Sequence, residues 1–305
     1  MDATTPPTAA SARTGPPSPG VHAPGLGSRG VTPPSGPVLF ARYAFGPNRL
    51  GLCGPEDWRS LLELGVAGAA LGVSGAAQGS AGAAPVASAR ARAQAIEIDH
   101  GLRDLAARFE GAFPYLQLIA TAHGLADPMD RRVVEAYWIG NSLSDRVDPV
   151  LMRRSMDERF RRQLLPEAWR WLAGKPDAGA RPTHAFHVLD VFPRVGLMRG
   201  GAVGDAIGLI DSCRIRWGRV LEVSGEHLVV DTVPLQLAEG KLWLGEPRPQ
   251  EVRRWLDGTG FVSDVAAGDI VSLHWDWACE VLTSARLGAL RRRTQQQLKL
   301  TNQTI

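Results

Sequence analysis

The feature that most constrains the fold is a series of short apolar segments, separated by tight turns, in the last third of the chain. Residues 216–223 and 227–233 alternate between apolar and polar positions, the period of a half-buried strand. A hairpin is predicted around Glu239-Gly240, and a glycine-aspartate turn leads into residues 270–274. Five or so short strands expose fewer unpaired edges in a small closed barrel than in an open sheet. The sequence therefore predicts a small closed β-barrel.

Two candidate metal ligands stand at the ends of this barrel pattern. Cys213 precedes its first strand and His274 ends its last. If those ends meet in space, the two side chains form a two-ligand site for a soft metal fragment, because thiolate and imidazole both suit such metals. The alternative is that Cys213 is a packing residue and His274 a hydrogen-bonded surface residue. Cys53 and Cys279 are interpreted as packing residues.

The chain before the barrel has a helical pattern, so the predicted class is α+β. We divide it into a disordered tail (1–37), a mainly α-helical domain (38–200) that contains a low-complexity insertion (66–95), and a barrel with a C-terminal helix (205–305). Asp127 is predicted to cap one of the helices, with Pro128 in its first turn. Thr283 is predicted to cap the closing helix.

A second chemically suggestive pair, His184 and His187, lies near the end of the helical region. On a helix the two imidazoles share one side, as chelation requires, whereas on a strand they face opposite ways. The β-branched and aromatic residues that follow leave this choice open. Together with a carboxylate such as Asp190 they would form the site of a metal-dependent enzyme. Ordinary packing is the alternative.

Composition excludes several classes of function. The formal charge of the 305 residues is only +3 at pH 7, with arginines spread among acidic residues, so no nucleic-acid partner is expected. Three irregularly spaced cysteines argue for a reducing compartment and against a disulfide framework. The sequence has neither a signal peptide nor an apolar run long enough to span a membrane. We expect a cytoplasmic protein without a membrane partner.

The last third of the chain resembles the HypC/HupF family of hydrogenase maturation chaperones. The resemblance is carried by Cys213 with the segment 218–223, by 227–231, by 265–274 and by 278–282. The family has small OB-like barrels with a terminal helix and opens on a cysteine five residues before a glycine. This chain departs from the family in having an internal cysteine and in having Trp217 where proline is usual.

This resemblance implies a function and a site. Family members hold an iron fragment with cyanide and carbonyl ligands, Fe(CN)2(CO), through the cysteine thiolate and the histidine. They receive it with a HypD-type partner and pass it to the hydrogenase large subunit. By position, Cys213 and His274 would hold the fragment transiently, with no cofactor bound tightly. Trp217, Trp275 and Trp277 are candidate interface residues, because tryptophans there would alter what docks.

The whole chain also resembles an uncharacterised bacterial family that we associate with uptake hydrogenases, through residues 109–115, 134–138 and 213–218. The leading hypothesis is a non-enzymatic accessory or maturation chaperone for a [NiFe]-hydrogenase. A structural interaction module that has lost ligand handling is the alternative. A histidine-based metal-dependent enzyme ranks third.

Overall fold

The structure is a computed structural model that describes residues 33–72, 89–195 and 206–305. It confirms the predicted α+β class: helices precede a barrel, and a helix follows it. In chain order the helices are α1 (Gly36–Arg49), α2 (Trp58–Ala70), α3 (Ala89–Ala107), α4 (Phe113–Ala122), α5 (Arg131–Trp138), α6 (Ser142–Asp145), α7 (Pro149–Phe160), α8 (Pro166–Ala173), α9 (His184–Phe186), α10 (Phe192–Val195), α11 (Ala206–Cys213) and α12 (Ser284–Thr301). A π-helical turn, His187–Val191, joins α9 to α10.

Helix α1 lies at the centre of the described structure. It is apolar around most of its circumference, as expected of a helix buried on all sides. It packs against α2, α3 and α5 on one side and against the barrel on the other. At Gly46 the barrel approaches so closely that a Cβ atom would lie 2.6 Å from the carbonyl oxygen of His274. Only glycine permits this contact without displacement of the backbone.

The strands are β1 (Arg216–Ser224), β2 (His227–Thr232), β3 (Leu235–Ala238), β4 (Lys241–Leu244), β5 (Arg248–Arg253), β6 (Ile270–His274) and β7 (Trp277–Val281). Five of them pair in the order β1-β2-β5-β7-β6, and β6 pairs again with β1. The ring is completed between β5 and β7 by a single parallel residue pair, Arg253 with Trp277. The barrel is therefore a curled mixed sheet in which β5 and β7 are joined by only one residue pair, so it is not closed by continuous strand pairing.

The remaining two strands, β3 and β4, form a separate hairpin beside the barrel. Helix α12 begins after Thr283, whose hydroxyl accepts from the backbone N–H of Arg286, as the sequence predicts. It returns to the helical region, where Gln297 and Thr301 donate to the buried carboxylate of Asp190. One apolar cluster includes residues from both the helical region and the barrel.

Several local predictions are wrong. Helix α5 begins at Arg131 with Asp130 as its cap, because Asp127 instead caps the preceding turn by accepting from the N–H of Met129. Strands β5 and β7 were not predicted, since neither has a simple alternation of apolar and polar side chains. Helix α1 begins at Gly36, inside the predicted tail. The ends of the low-complexity segment belong to α2 and α3, which agrees with the partly helical alternative for that segment. Residues 1–32 and 73–88 lie outside the described residues.

In the described ranges, no helix combines the length and the apolarity needed to cross a membrane.

Candidate metal centre

The structure brings together three potential metal ligands from distant parts of the sequence. His184 lies at the start of α9, Cys213 at the end of α11 and His274 at the end of β6. One ligand atom from each side chain lies within 4.8 Å of the other two. Within the described residues, this is the one set of three or more His, Cys, Asp or Glu side chains that is arranged to hold an ion.

The turn between β6 and β7 holds Cys213 and His274 next to each other. The backbone N–H of Trp275 donates to the carbonyl oxygen of Ser212 at 2.7 Å, which ties the turn to the end of α11. The guanidinium of Arg216 donates to the carbonyl oxygen of Trp275 from the other side. Trp275 has φ +58°, a left-handed conformation that is uncommon for a bulky residue and that concentrates at functional sites.

His274 is oriented as a metal-ligating histidine usually is. Its Nδ1–H donates to the backbone carbonyl of Tyr43 at 2.6 Å, which leaves the lone pair on Nε2. Nε2 is buried and has no hydrogen-bond partner. The side chain is 1% exposed, and this burial, followed by repulsion from His184, holds its pKa well below the ordinary value. The imidazole is therefore neutral and has a free donor atom.

His184 faces the same space from the helical region. The hydroxyl of Thr183 accepts from the backbone N–H of Phe186 and so begins the short helix at His184. The imidazole donates through Nε2 to the carbonyl of Cys213 at 2.8 Å, and Nδ1 accepts from the hydroxyl of Tyr137 at 3.2 Å. Burial lowers its pKa to about 4, so this ring is also neutral near pH 7.

Cys213 is the most exposed of the three, with a half-buried side chain. Desolvation raises the pKa of its thiol to about 12, although the indole N–H of Trp275 acts in the opposite direction. Without a metal the sulfur is therefore a thiol at neutral pH. A bound cation would have to displace this proton, because only the thiolate is a strong ligand.

The distances fit a single ion after a modest movement of side chains. Two donors on one tetrahedral zinc ion, one sulfur and one nitrogen, lie about 3.5 Å apart. The separations here reach at most 4.8 Å. Side-chain movement of about 1 Å would close the difference, and His274 is already oriented by its hydrogen bond to Tyr43. The donor set of two imidazoles and one thiolate suits borderline and soft transition metals.

The other predicted site residues lie elsewhere or play different roles. His187 follows His184 on a helical turn but is not a member of the ligand cluster. Asp190 is 0% exposed and forms an ion pair with Lys175 at 3.0 Å. Among the described residues, His184, His187 and Asp190 do not lie together as a cluster of potential ligands. Trp217 and Trp277 are buried, and their burial does not support a role at an interface. Trp275 alone of the three tryptophans is half-buried.

The sequence did not predict that His184 joins Cys213 and His274. In the sequence, Cys213 with His274 and His184 with His187 were two separate pairs of candidate ligands. Spacing along the chain does not show how a helix packs against a barrel. One signal was present, a histidine directly after a capping threonine, but it is common at helix starts.

The geometry defines an α+β protein with a buried His-Cys-His cluster at the junction of a helical region and a small barrel. The chain belongs to a family of unknown function, DUF6390, whose profile matches residues 32–305. Neither the curated proteins nor the solved structures include a significant match. The resemblance to the HypC/HupF family therefore stays a prediction.

Proposed function

We propose that this chain is a cytoplasmic accessory or maturation factor for a [NiFe]-hydrogenase and that it holds the iron-cyanide-carbonyl fragment as cargo through Cys213 and His274. One observation carries the proposal: this thiol and this imidazole, far apart in the sequence, lie in one cluster of potential ligands. The resemblance to the HypC/HupF chaperones supplies the identity of the cargo and of its partners.

The chemistry of the pair supports a soft metal fragment. Low-spin iron with π-acceptor ligands binds thiolate and imidazole well. The hydrogen bond from Nδ1 of His274 to Tyr43 presents Nε2 as a neutral donor, so no proton has to leave the ring. The thiol proton of Cys213 has to leave, and this couples binding of the fragment to release of one proton.

The exposure of the site indicates the side from which a partner approaches. His184 and His274 are buried, whereas Cys213 and Trp275 are half-buried neighbours. A HypD-type donor or the hydrogenase large subunit would therefore approach over Cys213 and Trp275. Trp217 and Trp277 would support this surface from within the core.

Affinity purification from cells that produce the hydrogenase tests the proposal. We expect the wild-type chain to retain the large subunit or a HypD-type protein, together with iron that shows cyanide and carbonyl infrared bands. The double variant Cys213→Ala, His274→Ala should lose the iron. A matched control removes the same two residue types elsewhere, Cys53→Ala with His227→Ala, and should retain the iron. Equal iron in the two double variants would contradict the proposal.

A second candidate is a structural interaction module that no longer handles a ligand. The observation that favours it is the burial of His274, which is only 1% exposed and lies beneath other residues. This candidate predicts that the same hydrogenase partners are retained without iron, and that the double variant at Cys213 and His274 retains them equally well.

A further inference from the structure

We infer that His184 is the third protein ligand of the site, so that the helical region and the barrel together form a Cys-His-His centre for a transition-metal ion. This inference deepens the proposed function, since it concerns the same site, but it can be tested without any hydrogenase partner. It is based on the position of His184 and on the hydrogen bonds of the two imidazoles.

The first observation is the unpartnered nitrogen of His274. Nε2 is buried without a hydrogen bond, whereas Nδ1 of the same ring donates to the carbonyl of Tyr43. A buried polar atom without a partner costs about 1 to 3 kcal/mol, so it needs a physical reason. A metal ion between Nε2 and the neighbouring donors would supply the missing interaction.

The second observation is the position of His184. Its ring is 4.9 Å from the ring of His274 between centroids, in an edge-to-face arrangement. Trp138 lies against both rings, at 4.7 Å from His184 and 5.7 Å from His274. The two imidazoles are therefore held as a pair within aromatic walls, next to the thiol of Cys213.

Loading requires one local rearrangement at His184. Nε2–H donates to the carbonyl of Cys213, and Nδ1 accepts from Tyr137. For Nε2 to bind a metal, the ring proton must move to Nδ1 and the hydrogen bond from Nε2 to the Cys213 carbonyl must break. The Tyr137 hydroxyl must also rotate, so that its oxygen accepts a hydrogen bond from Nδ1–H instead of donating to Nδ1. The ring stays neutral throughout. The only proton released to solvent comes from the thiol of Cys213, and its electron pair forms the sulfur-metal bond.

The number of donors defines the class of ligand. Two imidazoles and one thiolate suit zinc, cobalt or ferrous iron, and they leave positions open for ligands from outside the protein. A six-coordinate iron would keep three such positions, which is the number of small ligands in the iron fragment of the proposed function. A four-coordinate ion would keep one.

Titration of the chelator-treated full chain with Co²⁺ tests the inference. We expect one Co²⁺ per chain, with thiolate-to-cobalt charge-transfer absorption and the strong visible bands of tetrahedral coordination. His184→Ala should weaken binding by at least about tenfold and change the visible bands. The matched control is His187→Ala, which removes an imidazole one helical turn away and should leave affinity and spectrum unchanged.

A milder variant keeps the test valid if His184→Ala does not fold. Tyr137→Phe preserves the ring but removes the oxygen that would receive the Nδ1 proton, so binding should weaken by about 3- to 10-fold without loss of the charge-transfer band. Binding with an unchanged visible spectrum in folded His184→Ala would overturn the inference, as would a wild-type chain without charge-transfer absorption.

The two proposals can fail separately. Co²⁺ bound through three ligands in a chain that retains no hydrogenase partner would contradict the proposed function and support the role of His184. If iron is retained with a partner but the Co²⁺ spectrum does not respond to His184→Ala, the proposed function is supported and the role of His184 as a ligand is contradicted.

Discussion

The backbone carbonyl of Tyr43 accepts a hydrogen bond from Nδ1 of His274 at 2.6 Å, so one residue of the central helix sets the orientation of a candidate ligand. The hydroxyl of the same tyrosine donates to the carboxylate of Glu280 on the neighbouring strand and lies 3.1 Å from Ser272. Tyr43 therefore links the candidate metal centre to a buried ionic network, in which Glu280 also forms an ion pair with Arg286.

Replacing Glu280 with alanine should destabilise the fold strongly. Glu280 is 4% exposed, and its removal leaves the 14% exposed side chain of Arg286 with only a longer contact, 3.5 Å to Glu135. Loss of one partner from a buried ion pair costs about 3 to 5 kcal/mol. The free energy of unfolding in urea measures this loss. The control is Glu158→Ala, in an exposed pair with Arg154, which should cost at most about 1 kcal/mol. Equal losses would contradict the assigned role of the buried network.

Gly46→Ala should disturb the contact between α1 and the barrel. The added Cβ would lie 2.6 Å from the carbonyl oxygen of His274 and 3.0 Å from Cβ of Trp277. Overpacking of this kind costs about 1 to 3 kcal/mol, and it should also weaken Co²⁺ binding because it displaces the backbone of His274. Gly208→Ala in α11 is the control, since nothing lies within 4 Å of its added Cβ and alanine favours the helix. An unaltered urea midpoint in Gly46→Ala would show that the contact is looser than described.

Trp275→Asn should weaken metal binding and leave the stability of the fold nearly unchanged. Asparagine tolerates φ +58° better than tryptophan does, so the free energy of unfolding should change by less than about 1 kcal/mol. The indole N–H of Trp275 lowers the pKa of the Cys213 thiol, so its removal should make the thiol proton harder to displace, and Co²⁺ affinity should fall by about tenfold. The control is Trp243→Ala on the exposed face of the hairpin, where the tryptophan is 47% exposed. If Trp275→Asn binds Co²⁺ with wild-type affinity, the indole has no part in the site.

Acid should destabilise the metal-free protein before most carboxylates titrate. Burial lowers the pKa of His184 from 6.5 to about 4. Between these values the unfolded chain takes up a proton that the folded chain does not. The stability that the neutral His184 contributes is therefore fully present above pH 6.5 and is lost as the pH decreases toward 4. At pH 5 the loss from this group is about 2 kcal/mol. Burial also lowers the pKa of His187 and His274, so urea unfolding of chelator-treated protein at pH 7 and pH 5 measures the summed loss from all three rings. His184→Gln should reduce the pH dependence by the share of His184, and His100→Gln on the surface of α3 is the control that should not. A free energy that stays constant between the two pH values would contradict the burial of a neutral His184.

Local sequence patterns predicted much of the barrel. Strands β1, β2 and β6, the β3–β4 hairpin and helix α12 form where the alternation, the turn residues and the capping Thr283 indicate. Strand β5 was not predicted because residues 248–253 are mostly polar and pair at the surface. Strand β7 was not predicted because it is buried on both faces and so lacks alternation.

The residues of the candidate site, too, were only partly predicted from the sequence. Cys213 and His274 were candidates because a strand pattern separates them and because their positions resemble a known family. The backbone conformation around His184 and His187 was open, since the residue types there are compatible with both helix and strand. The structure makes it helical and places the two rings 6.4 Å apart between centroids, yet only His184 is a member of the ligand cluster.

The sequence by itself therefore determined the class of the fold, most of its elements and two of the three clustered side chains, because these depend on local periodicity, capping and turns. Only the tertiary structure decided that His184 joins Cys213 and His274. The contacts that join them are the hydrogen bond from His184 to the carbonyl of Cys213 and the hydrogen bond from Trp275 to Ser212. Contacts between residues so distant in the chain result from packing, which no local pattern encodes.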